Sequence, residues 1–154
     1  FDKDTAIRII NSVLILKSSE ESFSTMDMAI VDMYSGITEF IKIGAATTFI
    51  KKKDYVEVIG SSSLPVGILN KVDIETYKKQ LRDGDMIIMV TDGILDVEKN
   101  KFNQERTFIN LIQEIDSNNP QHVADCLLEK ARNLICDVES DDMTVIVARI
   151  WEKA

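Results

Sequence analysis

Met86-Ile87-Ile88-Met89-Val90-Thr91-Asp92-Gly93 and Asp141-Asp142-Met143-Thr144-Val145-Ile146-Val147 decide the reading of this chain, because each joins an acidic cluster to an apolar run of strand length. Such a run reads as a buried strand, so the carboxylates at its end are held rigidly at a sheet edge. Aspartate is the shortest carboxylate and loses little rotamer freedom when fixed. Hard divalent cations such as Mg²⁺ and Mn²⁺ favour carboxylate and carbonyl oxygens. Asp-Gly and Asp-Asp are also turn residues, and one cluster alone reads equally well as a turn. Two clusters of one chemistry, 49 residues apart and each beside an apolar strand, favour a shared metal site.

The 154 residues suit one domain with a substantial core. An apolar fraction of 45% beside a charged fraction of 29% is that of a folded, water-soluble protein. A net charge of -8 argues against nucleic acid, whose phosphates would be repelled. No apolar run is long enough to span a bilayer, and no signal peptide opens the sequence. Cys126 and Cys136 lack a CxxC arrangement and a secretory context, and read as reduced thiols of a cytoplasmic protein. The chain starts Phe1-Asp2-Lys3-Asp4 and enters an apolar helical pattern within a few residues, which is the expectation for a piece of something longer.

Ala6, Ile9, Ile10, Val13, Leu14 and Lys17 recur at helical spacing, predicting an amphipathic helix over 4–17 with Asp4 as its N-cap. From Thr25 the period becomes two, and the Tyr34-Ser35-Gly36 turn predicts a hairpin with Ile37 to Ile43. Shorter extended runs are expected at 48–51, 55–59 and 72–77. Between them, Ser61 to Leu69 reads as an ordered loop packed on the core through Leu64, Val66, Ile68 and Leu69. Asp83-Gly84 turns the chain into the Met86 strand. Two helices follow, the first burying Phe108, Leu111, Ile112 and Ile115. The second is capped by Asn119-Pro120 and buries Val123, Ala124, Leu127, Leu128, Ala131 and Ile135. A last strand covers Met143 to Ile150. Early strands joined by short connections, with helices in separate blocks, predict an α+β fold with antiparallel sheets.

Several chemistries are missing. The single histidine, His122, lies in the first turn of the last helix, which leaves it a structural or surface role and gives no basis for a Ser-His-Asp triad or a histidine zinc site. Cys126 and Arg132 share the spacing of the cysteine phosphatases, but the residues between them are glycine-free and helical, and do not form a phosphate loop. Val90-Thr91-Asp92-Gly93 resembles the haloacid dehalogenase-type motif, except that Val90 stands where the acidic nucleophile belongs. Water activated by one or two cations remains.

At these residues the chain resembles the metal-dependent PPM (PP2C-type) serine/threonine phosphatases, and looks closest to their sporulation branch. The match rests on Thr91-Asp92-Gly93 with Asp96, on Asp141-Asp142-Met143-Thr144, and on Phe1 to Ala6, Phe23 to Asp27, Lys42 to Ala45 and Ser63 to Leu69, in that order along almost the whole chain. The resemblance implies part of an α-β-β-α sandwich, with residues 1–154 the C-terminal portion of a single domain that lacks its N-terminal strands. It implies hydrolysis of phosphoserine on an anti-anti-sigma factor, by the cytoplasmic domain of a membrane-anchored protein at the sporulation septum. Asp92 and Asp141 would bind metal, with Gly93, Asp96 and Asp142 in support; Asp142 stands where relatives often have Asn. Two Mn²⁺ or Mg²⁺ ions are expected in the complete domain. One weak site or none is expected here, because an earlier Asp-Gly pair that bridges both ions would precede Phe1. Ala45 replaces the aspartate that some relatives use for a third metal, so no complete third site with Asp96 is expected.

Two further readings stand beside this one. The chain could be a binding or regulatory module of the same fold without turnover, or a dehalogenase-type phosphatase, which Val90 disfavours. For the fragment itself the expectation is a folded, catalytically inactive chain, whose uncovered apolar strand edge could pair with a second copy to form a homodimer.

Overall fold

The computed structural model describes residues 2–17, 23–95, 101–134 and 142–152. The chain divides into two compact units, one formed by Phe1–Ala45 with Gly60–Gln80 and the other by Ala46–Ile59 with Leu81–Ala154. Both are antiparallel sheets accompanied by helix, which is the α+β class expected.

The first unit opens with α1, Lys3–Lys17. Its N-cap is Asp2 and not Asp4: the Asp2 Oδ2 accepts the Thr5 hydroxyl at 2.8 Å and the Thr5 N–H at 3.1 Å. Those bonds hold the Asp2 carboxyl below its usual range. The buried face of α1 also differs from the predicted stripe. It carries Ile7 and Asn11, whereas Ile9, Ile10 and Val13 are exposed. The displacement follows from Asn11, a polar residue that hydropathy places outside and hydrogen bonds hold inside.

Strand β1, Met26–Val31, pairs with β2, Ile37–Ile43, in the register Met26↔Ile43 to Val31↔Thr38. Their turn is the one predicted. Asp32 accepts from the Tyr34 N–H and the Ser35 hydroxyl, and Gly36 takes the positive φ of 70° that the reversal requires. On the other side of β2 lies β5, Glu75–Gln80, giving the order β1-β2-β5. The strand expected at 72–77 thus begins later. Val72 is buried in the core of this unit without being in a strand, and the ladder is carried by the polar run that follows it. Lys42 is fully buried beside Asp27, at 2.7 Å; burial pushes its ammonium below the ordinary lysine value, and the Asp27 carboxylate opposes that shift.

The 60s segment is ordered by different contacts from those expected. Val66 is fully buried and exchanges backbone hydrogen bonds with Ser24, but Leu64, Ile68 and Leu69 are 52%, 45% and 53% exposed. Asn11 supplies the rest. Its Nδ2 donates to Leu69 O at 2.9 Å and to Asn70 O at 3.4 Å, and its Oδ1 accepts the Gly67 N–H at 2.8 Å. At Gly44, φ is +60° and an added Cβ would come within 2.6 Å of the Pro65 nitrogen, so the close approach of this loop to the end of β2 requires glycine.

The second unit holds β3, Thr48–Lys51; β4, Val56–Ile59; β6, Met86–Val90; and β7, Val145–Arg149, in the order β4-β3-β6-β7. Central β6 buries Met86, Ile87, Ile88 and Val90, as its unbroken apolar sequence requires. The terminal strand is two residues shorter at its start than predicted. Helices α2, Asp92–Leu95, α3, Lys101–Glu114, and α4, Pro120–Leu134, complete the unit. Phe49, Ile88, Phe108, Ile112, Val123 and Leu127 form its core, with the Phe49 and Phe108 rings tilted 5.1 Å apart. Asn119 caps α4 as predicted, accepting the Gln121 N–H at 3.0 Å. Lys51 donates to the carbonyls of Ile112, at 2.8 Å, and Ile115, satisfying the C-terminal end of α3.

Candidate metal centre

The two acidic motifs meet because β6 and β7 are antiparallel neighbours. Their ladder runs from Met86↔Arg149 to Val90↔Val145, so the end of β6 and the start of β7 lie at one sheet edge. Thr91 continues the pairing for one more step, its N–H donating to Thr144 O at 3.1 Å. Its side chain then fastens the two motifs together. The Thr91 hydroxyl donates to Asp142 O at 3.0 Å and accepts the Thr144 N–H at 2.9 Å. A hydroxyl is suited to this position because it can give one bond and take another. Sequence reasoning quoted Thr91 only as part of a motif and gave it no role. The signal available was a β-branched hydroxyl residue between a buried strand and an acidic residue.

Asp92 follows directly and opens α2. Its Oδ1 accepts the Gly93 N–H at 3.1 Å, and the Ile94 N–H returns to Thr91 O at 3.1 Å. Gly93 and Ile94 are buried while Asp92 is exposed. The backbone is therefore anchored in the core while Asp92 itself is exposed to water.

Asp142 is exposed at the start of the second motif, with its carbonyl held by Thr91. Asp141 and Asp96 lie outside the described residues, so the structure places Asp92, Gly93 and Asp142 at this edge and is silent on the other two. Among the described residues no group of three or more His, Cys, Asp or Glu side chains is arranged to hold a metal ion. The donors that are described, carboxylates and backbone carbonyls, are all oxygen. They fit a hard dication in kind and supply part of the six or so ligands that such an ion takes. His122 is exposed in the first turn of α4, as expected.

The family profile for Stage II sporulation protein E (SpoIIE) matches residues 1–151. The chain is 38% identical over 149 residues to stage II sporulation protein E of Bacillus subtilis, covering 97% of this chain and 18% of that protein. A solved structure of the PP2C phosphatase domain and a fragment of the regulatory domain of SpoIIE from Bacillus subtilis superposes with a TM-score of 0.87 at 37% identity, covering 97% of this chain and 44% of that one. The phosphatase domain of the same cell fate determinant, presoaked with Mn, gives a TM-score of 0.77 at 36% identity, covering 100% of this chain and 68% of that one. The chain thus spans less than a fifth of the full-length relative. Its α+β fold with antiparallel sheets is that of the PP2C phosphatase domain.

Proposed function

The chain belongs to the stage II sporulation protein E family, and from that premise we propose that residues 1–154 are the C-terminal portion of a single PP2C-type phosphatase domain that hydrolyses phosphoserine in the whole protein. The observation that carries this reading is the Thr91 fastening, which brings the Asp-Gly motif and the terminal acidic motif to one sheet edge. Asp92 and Asp141 hold the metal, with Gly93, Asp96 and Asp142 in support. The oxygen-only chemistry of the described donors and the Mn-presoaked relative favour Mn²⁺ or Mg²⁺. When bound, such cations lower the pKa of water and offset the charge of a phosphate.

Within this chain, Asp92 contributes negative charge at a fixed point, and the buried Gly93-Ile94 backbone holds it there. Thr91 keeps the second motif in register with the first. The substrate implied by the family resemblance is a phosphoserine-bearing anti-anti-sigma factor, met by a cytoplasmic domain whose membrane anchor belongs to other parts of the protein. Among the described residues no helix is long and apolar enough to cross a membrane. The earlier Asp-Gly pair that the family resemblance implies, which residues 1–154 do not contain, supports a second statement: by itself the chain binds metal weakly and turns over little or nothing.

Fusing residues 1–154 to a segment that bears the early Asp-Gly pair implied by the family resemblance, and assaying a phosphoserine peptide with Mn²⁺, tests both statements. Turnover that requires the added segment and is lost in Asp92→Asn is expected. An extended protein that binds Mn²⁺ without turnover would favour the regulatory module, and robust turnover by residues 1–154 alone would show the site to be misplaced.

A further inference from the structure

We draw no further inference here: the strongest candidate, the outward apolar stripe of helix α1 at Ile9, Val13 and Leu16, is a face left exposed among the described residues, and nothing in the structure shows what covers it.

Discussion

Replacing Asn11 by leucine should release the 60s segment from α1 at a cost that can be worked out contact by contact. Asn11 is 2% exposed and makes two short bonds to backbone, to Leu69 O and from the Gly67 N–H, besides a longer one to Asn70 O. Each short bond contributes about 1 kcal/mol net. Leu69 and Asn70 are exposed, so their carbonyls recover water and add little. The Gly67 N–H, next to fully buried Val66, is instead left without an acceptor, at about 1 to 3 kcal/mol. Asn11→Leu should therefore lose about 2 to 4 kcal/mol, a large share of the ~5 to 15 kcal/mol that a domain has. Asn11→Asp separates the two halves of the interaction: it keeps an acceptor for Gly67 but sets a carboxylate against two carbonyls, so it should be unstable at neutral pH and partly recover in acid, where a protonated carboxyl can donate. Urea unfolding gives the midpoint, and hydrogen exchange at Gly67 reports the local release. An Asn11→Leu protein within about 0.5 kcal/mol of its parent, with Gly67 still protected, would refute the reasoning.

Thr91→Val should cost about 1 kcal/mol, because its two hydrogen bonds are solvent-exposed, and in calorimetric titration should weaken Mn²⁺ binding by the extended protein while circular dichroism finds the helices intact. Gly44→Ala must adopt a left-handed backbone and push against the Pro65 nitrogen, so a loss of about 2 to 4 kcal/mol is expected in urea, whereas Gly60→Ala, with open space around it, should change little. Lys42 has a folded pKa below its ordinary 10.5, so the unfolded chain binds its proton more tightly. Its contribution to stability therefore rises with pH from that lowered value up to 10.5, and Lys42→Met should flatten the alkaline limb of a urea midpoint against pH curve.

The parts of the fold that were legible in the sequence are those where hydropathy and burial agree. Strand β6 is apolar at every position, and the hairpin is bracketed by Asp32 and Gly36, whose side-chain chemistry or conformational freedom makes the turn. Where polar groups carry the structure, periodicity pointed elsewhere. Asn11 draws α1 onto Ile7 and leaves Ile9 and Val13 in water. Strand β5 is polar along its length because an edge strand needs only backbone to pair and gains solubility from charge. The 60s loop is apolar in composition, yet one valine and an amide latch hold it. At the candidate site, the placement of Asp92 and Asp142 at the ends of neighbouring strands was legible, while Asp141, read with Asp92 as a metal ligand, lies outside the described residues; the role of Thr91 was not legible, since it appears only once β6 and β7 are set side by side.

The long separation in sequence between those two strands has a consequence for how the protein is made. The β1–β2 hairpin joins neighbours and can form within microseconds of leaving the ribosome. Val90 and Val145 are 55 residues apart, and closing a loop of that length costs about 3.5 kcal/mol of chain entropy beyond a constant. Nothing repays that cost until residues 145–149 are translated, after every other element described here. The edge that joins the two acidic motifs is therefore a late product of vectorial synthesis: a ribosome stalled before Val145 holds a chain with its helices and its hairpin but with Asp92 at an unfinished border.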